Sequence, residues 1–234
     1  MRELHLFAGA GGGILGGMML GHRPVCAVEI DKYCRRALQA RQDDGSLPPF
    51  PIYEDVRKFD GHAWRGLVDV ICGGFPCQPF SCAGKQLGTA DPRHLWPEMA
   101  RIIEEVRPRY VFAENVALGA FEEPWRDLRR LGYRVPPAIC VSASDVGAPH
   151  RRKRWWLLAA DTNSQRLEER EGISSNTRQE LAATIGADWW ATEPNVGRVA
   201  HGVASRVDRL KAIGNGQVPL TAATAWRLLM EAHA

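Results

Sequence analysis

One stretch near the start of the chain decides the fold: residues 3–13, which read ELHLFAGAGGG. Its first part, residues 3–7, is a short apolar run that predicts a β-strand. The glycines that follow permit a tight turn and let a ligand approach the backbone closely, and the N-terminus of a following helix offers free N–H groups. The stretch predicts a strand, a turn and a helix, and it is compatible with a ligand site at the turn or with a plain tight turn.

Outward from this unit, short apolar runs alternate with segments of helical spacing. The apolar runs predict strands at 3–7, 25–30, 68–72, 110–114 and 154–160, with a further strand within 134–141. The segments between them predict helices at 31–42, 96–107 and 122–131, and a last helix after Pro219. This alternation predicts an α/β fold with a mostly parallel sheet flanked by helices on both faces.

The composition is that of a globular protein with room for one large domain and a small appendage. The chain has 234 residues, 45% of them hydrophobic, and a formal net charge of +3, which allows a polyanionic partner without requiring one. We expect no signal peptide and no membrane-spanning segment, and the six cysteines, most of them in apolar runs, predict reduced thiols in a cytoplasm. Because Cys77 and Cys82 lack a second cysteine pair and a histidine at ligand spacing, we expect no metal site.

Two acidic residues that follow predicted strands extend the interpretation of the turn. Glu29 ends the second strand, roughly 20 residues after the glycine turn, where a carboxylate can bind ribose hydroxyls. The turn and Glu29 together favour a nucleoside site, although the glycine spacing differs from the strict dinucleotide pattern. Asp55 is placed to accept a hydrogen bond from an adenine amino group, but taken alone it is better explained as a solvated loop residue.

A candidate nucleophile follows the central strand. Residues 73–81 read GGFPCQPFS, so Cys77 comes at the carboxyl end of that strand, where open α/β sheets bind ligands. Pro76 and Pro79 stiffen the chain on either side. This setting suits a reactive thiol better than a packed structural cysteine.

Five sequence blocks occur in one order along the chain. They are FAGAGG at 7–12, PCQ at 76–78, ENV at 114–116, PHRRKR at 149–154 and GNGQVP at 214–219. In sequence and in order, these blocks resemble the motifs of the cytosine-C5 DNA methyltransferase family in its compact phage or bacterial form. The resemblance implies a Rossmann-like, S-adenosylmethionine-dependent methyltransferase fold and a DNA (cytosine-5-)-methyltransferase activity.

The resemblance assigns the chemistry to four residues. Cys77 matches the thiolate that adds to cytosine C6 and makes C5 reactive. Glu114 matches the acid that contacts cytosine N3 and supports its protonation as charge builds on the ring. Arg152 and Arg154 match the arginines at the O2 edge of the base, where a fixed cation stabilises negative charge.

The resemblance also implies S-adenosyl-L-methionine as the methyl donor. Glu29 would hold the ribose, and Ile30 and Val56 would flank the adenine. Asp55 would accept a hydrogen bond from the adenine amino group. The full set of matching cofactor residues is Phe7, Gly9, Gly11, Gly12, Glu29, Ile30, Asp55, Val56, Gly74, Pro76, Leu95 and Asn215.

Double-stranded DNA is the implied substrate, and a base inside a duplex must be flipped out of the stack before an enzyme can reach it. Residues 81–97 match the family's mobile loop, which we expect to close over the DNA. The candidate DNA contacts are Gln78, Ser81, Lys85, Arg93 and Arg151. We expect a monomer in the cytoplasm of a bacterial or phage-infected cell, with no need of a cognate restriction nuclease for activity.

The chain departs most from the family in its recognition region. We divide it into a catalytic, S-adenosylmethionine-binding domain at 1–160, a reduced target-recognition region at 161–196 and a C-terminal segment at 197–234 that returns to the catalytic domain. The middle region is too short to pack as a module of its own, which predicts a short or relaxed DNA recognition sequence. Trp189 and Trp190 are better explained as a hydrophobic anchor of this region than as a wedge beside the flipped base.

Two smaller departures and two competing functions complete the analysis. His150 stands where the family commonly has Gln, and Gly216 where it commonly has Ser or Ala. One competing function is an RNA methyltransferase on the same scaffold, whose characteristic Cys-Phe-Thr segment is absent from this sequence. The other is a catalytically idle scaffold partner, against which the intact catalytic set argues.

Overall fold

The structure is a computed structural model that describes residues 1–76, 94–163 and 206–233. Within these ranges eight strands form one sheet. They are β1 (Arg2–Leu6), β2 (Arg23–Val28), β3 (Ile52–Tyr53), β4 (Val70–Gly73), β5 (Tyr110–Asn115), β6 (Tyr133–Arg134), β7 (Ile139–Ser142) and β8 (Lys153–Asp161).

The sheet is parallel over most of its width. The strand order is β3-β2-β1-β4-β5-β8-β6, with β7 also paired to β8. The neighbours from β3 to β5 run parallel, whereas β8 is antiparallel to β5, β6 and β7. The expected mostly parallel α/β sheet is therefore confirmed.

Helices lie on both faces of this sheet. In the described ranges they are α1 (Gly12–Met19), α2 (Lys32–Asp43), α3 (Trp96–Val106), α4 (Glu122–Arg130), α5 (Arg206–Asn215) and α6 (Pro219–Glu231). None of these six helices is long and apolar enough to cross a membrane.

The alternation of strand side chains places buried cores on both faces of the sheet. On one face α3 buries Trp96, Met99 and Ile102 against the apolar side chains of β1 and β4, such as Ile71. On the other face Val70 belongs to the core under α6. Each of these large apolar side chains contributes roughly 1.5–3 kcal/mol by leaving water. Because the central strands are buried on both faces, they read as continuous apolar runs in the sequence.

Local signals fix where the helices beside the sheet's carboxyl edge begin. Asp31 caps α2, since its Oδ1 accepts hydrogen bonds from the backbone N–H groups of Tyr33 and Cys34 at 2.9 and 3.2 Å. Gly11, with φ of +94°, caps α1. Pro219 stands in the first turn of α6, where its missing N–H removes no helical hydrogen bond.

Several strand boundaries differ from the sequence prediction. The second strand ends at Val28 rather than at residue 30, so Glu29 lies just beyond it. The expected strand within 134–141 is divided into β6 and β7, because Pro136 and Pro137 between them cannot donate to a ladder. The first strand ends at Leu6, and Phe7 leaves it with a left-handed φ of +55°.

Candidate active site

A cavity of about 460 Å³ lies at the carboxyl ends of β1, β2, β4 and β5. This edge is where open α/β sheets bind ligands, and the volume falls in the range of small-molecule sites. Most of the cofactor residues expected from the sequence line it, namely Phe7, Gly9, Glu29, Ile30, Asp55, Val56, Gly74, Pro76, Leu95 and Asn215.

The turn after β1 forms one wall through its unusual backbone. Phe7, Gly9 and Gly11 all have positive φ, at +55°, +54° and +94°. Glycine adopts this conformation without a steric penalty, whereas Phe7 does so under strain. Gly11 and Gly12 do not line the cavity. A Cβ on Gly11 would meet the Leu38 side chain at 2.9 Å, so this glycine serves the packing behind the turn.

Glu29 fixes the shape of that turn. Its side chain is buried, with 8% of the residue exposed. One carboxylate oxygen accepts from the Gly9 N–H at 2.6 Å and the other from the Asp31 N–H at 2.7 Å. Each oxygen keeps a further lone pair for a ligand hydroxyl.

The far end of the cavity combines an apolar surface with an acid. Ile30 is 60% exposed at the cavity wall, and Val56 is buried beside it. Asp55 caps the 3₁₀ turn Val56–Lys58, because its Oδ1 accepts from the Arg57 N–H at 3.0 Å. Its carboxylate is thereby held in a fixed position in the cavity wall.

Glu114 and Arg154 form an ion pair in the opposite wall. They sit on the neighbouring strands β5 and β8, and Arg154 Nε lies 2.8 Å from Glu114 Oε1. That approach lacks hydrogen-bond geometry, so Oε1 has no hydrogen-bond partner among the described residues. The other oxygen, Oε2, accepts from Gln217 Nε2 at 3.4 Å.

The environment of Glu114 acts on its ionisation in two directions. Burial raises the pKa of the Glu114 carboxyl, and the nearby Arg154, the amide of Gln217 and Arg152 only partly oppose this rise. The group therefore retains a proton to higher pH than an exposed glutamate. A protonatable acid beside a fixed cation is a common catalytic arrangement.

Arg152 has a different contact from Arg154. Its guanidinium donates to the carbonyl oxygens of Gly214 and Gly216, at 2.7 Å for Gly214. Arg152 thus holds the turn between α5 and α6, and it does not line the cavity. Arg151 is exposed.

Asn115 orients the loop that precedes Cys77. Its Nδ2 donates to the Phe75 carbonyl at 3.1 Å, and its Oδ1 accepts from the Val116 N–H at 2.8 Å. The Phe75 ring packs against Trp96 in the core. The chain is therefore anchored two residues before Cys77. Several expected residues lie outside the described ranges: Cys77, Gln78, Ser81, Lys85, Arg93, Trp189 and Trp190.

Other residues of the site were not expected from the sequence. Lys211 of α5 pairs with Asp31 at 2.7 Å, and both line the cavity together with Cys34 and Glu54. Gln217 touches Glu114. No local pattern reveals these contacts, because their partners are far apart along the chain.

A buried polar cluster lies at the opposite end of the sheet. Glu3 accepts from His5 Nε2 at 2.9 Å and from His22 Nδ1 at 2.7 Å, and its side chain lies close to buried Cys72. Burial alone would raise the pKa of Glu3, but the hydrogen bonds of His22 and His5 lower it to about 2. Both carboxylate oxygens thus have histidine partners, which identifies the cluster as an internal hydrogen-bonded group of the core.

Comparison with known proteins gives the fold and the site a family. The sequence model of C-5 cytosine-specific DNA methylases matches residues 1–201. The type II methyltransferase M.PspPI of Psychrobacter sp. (strain TA137) is 38% identical over 168 residues, covering 68% of this chain and 39% of the relative. M.HhaI of Haemophilus parahaemolyticus is 31% identical over 188 residues, covering 76% of this chain and 55% of the relative. The chain thus spans about half the length of these relatives, or less.

Solved structures agree with this result. A protein described as a DNA modification methyltransferase encoded within an E. coli prophage has a TM-score of 0.56 and 28% identity, covering 69% of this chain and 47% of that one. The S. pombe Dnmt2 methyltransferase, at 22% identity and a TM-score of 0.55, covers 74% of this chain and 53% of its own and shares the fold. This chain therefore belongs to the family of C-5 cytosine-specific DNA methylases.

Proposed function

We propose that this chain is a DNA (cytosine-5-)-methyltransferase, which transfers a methyl group from S-adenosylmethionine to C5 of a cytosine flipped out of duplex DNA. One observation carries the proposal. The Glu114–Arg154 pair and the glycine turn with Glu29 line the same cavity. A nucleoside-type donor and a base that needs an acid and a cation would therefore meet there.

The residues around the turn fit S-adenosylmethionine. Glu29 would accept hydrogen bonds from ribose hydroxyls through its remaining lone pairs, and Ile30 and Val56 would flank the adenine. Asp55 would accept from the adenine amino group. Positive φ at Gly9 lets the backbone approach a ligand without a Cβ in the way. When bound, S-adenosylmethionine supplies an electrophilic methyl group.

Cys77 would activate the base. Cytosine C5 is a poor nucleophile, and addition of a thiolate to C6 forms an S–C6 bond and moves electron density to C5 and the ring edge. Glu114, whose pKa is raised by burial, would donate a proton to N3 as this charge develops. Arg154 would stabilise the O2 edge, and Arg152 would act on the site through the turn it holds.

The addition must be reversed after the transfer. In the proposed cycle the C5 proton leaves to water, the electron pair restores the C5–C6 double bond, and the bond to Cys77 breaks. Asn115 would keep the thiol aligned during both steps through its hold on the Phe75 carbonyl.

A covalent trap tests the proposal. In duplex DNA containing 5-fluorocytosine, C5 carries fluorine in place of the proton that must leave, so the adduct cannot resolve. We expect a stable, methyl-donor-dependent adduct with the unchanged chain and with Cys140→Ala, whose thiol is exposed on β7. We expect none with Cys77→Ala. Methyl transfer that survives Cys77→Ala, or that occurs on transfer RNA and not on duplex DNA, would contradict the proposal.

The proposal extends to the working form of the protein. Its relatives are named as type II methyltransferases, which supports activity on double-stranded DNA in the cytoplasm of a bacterial or phage-infected cell. We propose that it acts as a monomer and without a restriction nuclease. Light scattering of the purified chain with and without DNA, beside a methylation assay lacking any nuclease, tests both points.

A further inference from the structure

Gln217 lies behind the cavity, between the glycine turn and Glu114. It lies in the turn between α5 and α6 and is half-buried, and it does not line the cavity itself. Its side-chain amide instead contacts the carboxyl group of Glu114. The family resemblance assigned it no role.

Three glycines make room for Gln217. A Cβ on Gly12 would overlap the Gln217 backbone carbonyl, and a Cβ on Gly13 would overlap its side-chain Oε1. A Cβ on Gly74 would lie 3.1 Å from Nε2 and 2.7 Å from Glu114 Oε2. The amide is thus enclosed between the N-terminus of α1, at the cofactor turn, and the loop that leads to Cys77.

Among the described residues, the enclosed amide contacts one functional group, the carboxyl group of Glu114. Its Nε2 donates to Glu114 Oε2 at 3.4 Å, while Arg154 faces Oε1. The two oxygens of the carboxyl group are therefore held from opposite sides. With both contacts in place, the carboxyl group has a fixed orientation in the cavity wall.

We propose that Gln217 is a positioning residue for Glu114: its amide at Oε2, opposite Arg154 at Oε1, holds the carboxyl group in the orientation in which it serves the pyrimidine ring. This inference rests on the proposed function. It also explains why the turn between α5 and α6 meets the first turn of the fold. Through Gln217, the cofactor turn and the acid share one packed contact.

The chemistry of possible replacements separates this role from packing. Methionine has a similar length and shape but no donor. Glutamate keeps the shape and can donate only when protonated; when ionised it repels a Glu114 carboxylate. Gln42, whose amide donates to Pro48 and Phe50 carbonyls away from the cavity, offers a matched control for loss of a half-buried amide.

Steady-state methylation of duplex DNA by Gln217→Met, Gln217→Glu and Gln42→Met, each across a pH series, tests the proposal. For Gln217→Met we expect kcat to fall by up to about ten-fold, as for loss of one hydrogen bond. Its loss of activity at alkaline pH should move to higher pH, because a donor that stabilises the carboxylate is gone and the pKa of Glu114 rises. Gln217→Glu should recover towards the unchanged chain as pH falls, and Gln217→Met should not.

Two further readouts exclude a general effect. The Kd for S-adenosylmethionine should change by less than about three-fold in Gln217→Met, because the residue lies outside the cavity. Gln42→Met should keep the unchanged kcat and pH profile. If Gln217→Met and Gln217→Glu match the unchanged chain in kcat and pH profile, or if both fall equally at every pH, Gln217 has only a packing role. If the unchanged chain itself transfers no methyl group, the proposed function fails instead.

Discussion

Glu3 and Glu114 are two buried glutamates on the same face of one sheet, and their pKa values are shifted in opposite directions. Glu3 lies near the amino end of β1 and is 2% exposed, and Glu114 lies near the carboxyl end of β5 and is 7% exposed. Burial raises the pKa of Glu114, whereas the histidines around Glu3 lower its pKa to about 2 despite equal burial.

The difference lies in the partners of each carboxylate. Glu3 has both oxygens engaged by His5 and His22 at hydrogen-bond distance, so its charge is compensated inside the core. Within the part of the chain that the structure describes, Glu114 has one long hydrogen bond from Gln217 and an ion-pair contact with Arg154. A buried carboxylate with incomplete partners keeps its proton more readily, and it stands at the edge of the sheet where ligands bind. Partner geometry, and not burial, separates the structural acid from the proposed catalytic one.

The largest expected effect comes from Glu114→Gln. The amide keeps the shape but cannot deliver a proton to N3, so methyl transfer should fall by about 10²–10⁴-fold, the usual contribution of a general acid. Single-turnover transfer on duplex DNA measures this loss. Glu104→Gln, an exposed change on α3, should leave the rate unchanged.

The same variant has a stability signature that checks the direction of the pKa shift. Because the folded pKa of Glu114 lies above the usual 4.5, its contribution favours folding at low pH and is lost as pH rises from 4.5 through the folded value. The stability of Glu114→Gln relative to the unchanged chain should therefore increase with rising pH in urea unfolding. A decrease would mean that Arg154 outweighs burial.

Glu3→Gln should lower the free energy of unfolding. It removes the buried carboxylate that accepts hydrogen bonds from His5 and His22, and a buried polar group left without its partner costs about 1–3 kcal/mol. The lowered pKa of Glu3, about 2 against 4.5, corresponds to about 3 kcal/mol of stability that is present above pH 4.5 and lost as pH falls towards 2. The difference between the two proteins in urea unfolding should shrink over that window.

A matched surface change sharpens this test. Asp44→Asn alters an exposed acid that pairs with Arg41, and it should leave the free energy of unfolding nearly unchanged. Glu3→Gln with unchanged stability at neutral pH would mean that the cluster is compensated by another route. Relative to the unchanged chain, the stability of Glu3→Gln should fall with rising pH, whereas that of Glu114→Gln should rise. These opposite trends test the contrast between the two acids most directly.

The sequence predicted the parts of the molecule whose signals are local. The strand and glycine turn at 3–13, the acid at Glu29 and the order of the helices follow from periodicity and spacing. The fold could be predicted, and was confirmed, since buried parallel strands appear in the sequence as continuous apolar runs. Arg154 could be placed near Glu114 only through the family resemblance, since nothing in its basic run distinguishes it from a solvated charge.

Contacts between distant residues could not be predicted in the same way. Gln217 meets Glu114 across 103 positions, and Lys211 meets Asp31 across 180. Such pairs depend on how α5 and α6 return to the sheet, which side-chain spacing does not encode. His22 likewise reaches Glu3 only because β2 begins beside β1. Local signals therefore predicted the glycine turn and Glu29, and the tertiary fold brings Gln217 and Lys211 to their partners.

A third carboxylate, Asp31, is more exposed than Glu3 and Glu114, and changes to it have the smallest expected effect. The Lys211 ammonium holds the pKa of Asp31 below its usual value, but the Lys211 side chain is 60% exposed, so water and salt screen the pair. If the pair matters as a tether between α5 and α2, Lys211→Met and Asp31→Asn should both weaken S-adenosylmethionine binding about two-fold at low salt. Asparagine still caps α2, so the helix itself is preserved.

The two variants change the charge of the cavity in opposite directions, which makes them a discriminating pair. A tether predicts equal weakening by both, and the effect should vanish near 1 M salt, where the screening length is about 3 Å. A simple electrostatic field predicts that one variant strengthens binding while the other weakens it. Calorimetric titration of both variants and of their combination separates these outcomes, since two changes that break one contact should not add. Opposite signs would show that Asp31 and Lys211 act on the ligand separately, and that the contact between the two walls contributes nothing to binding.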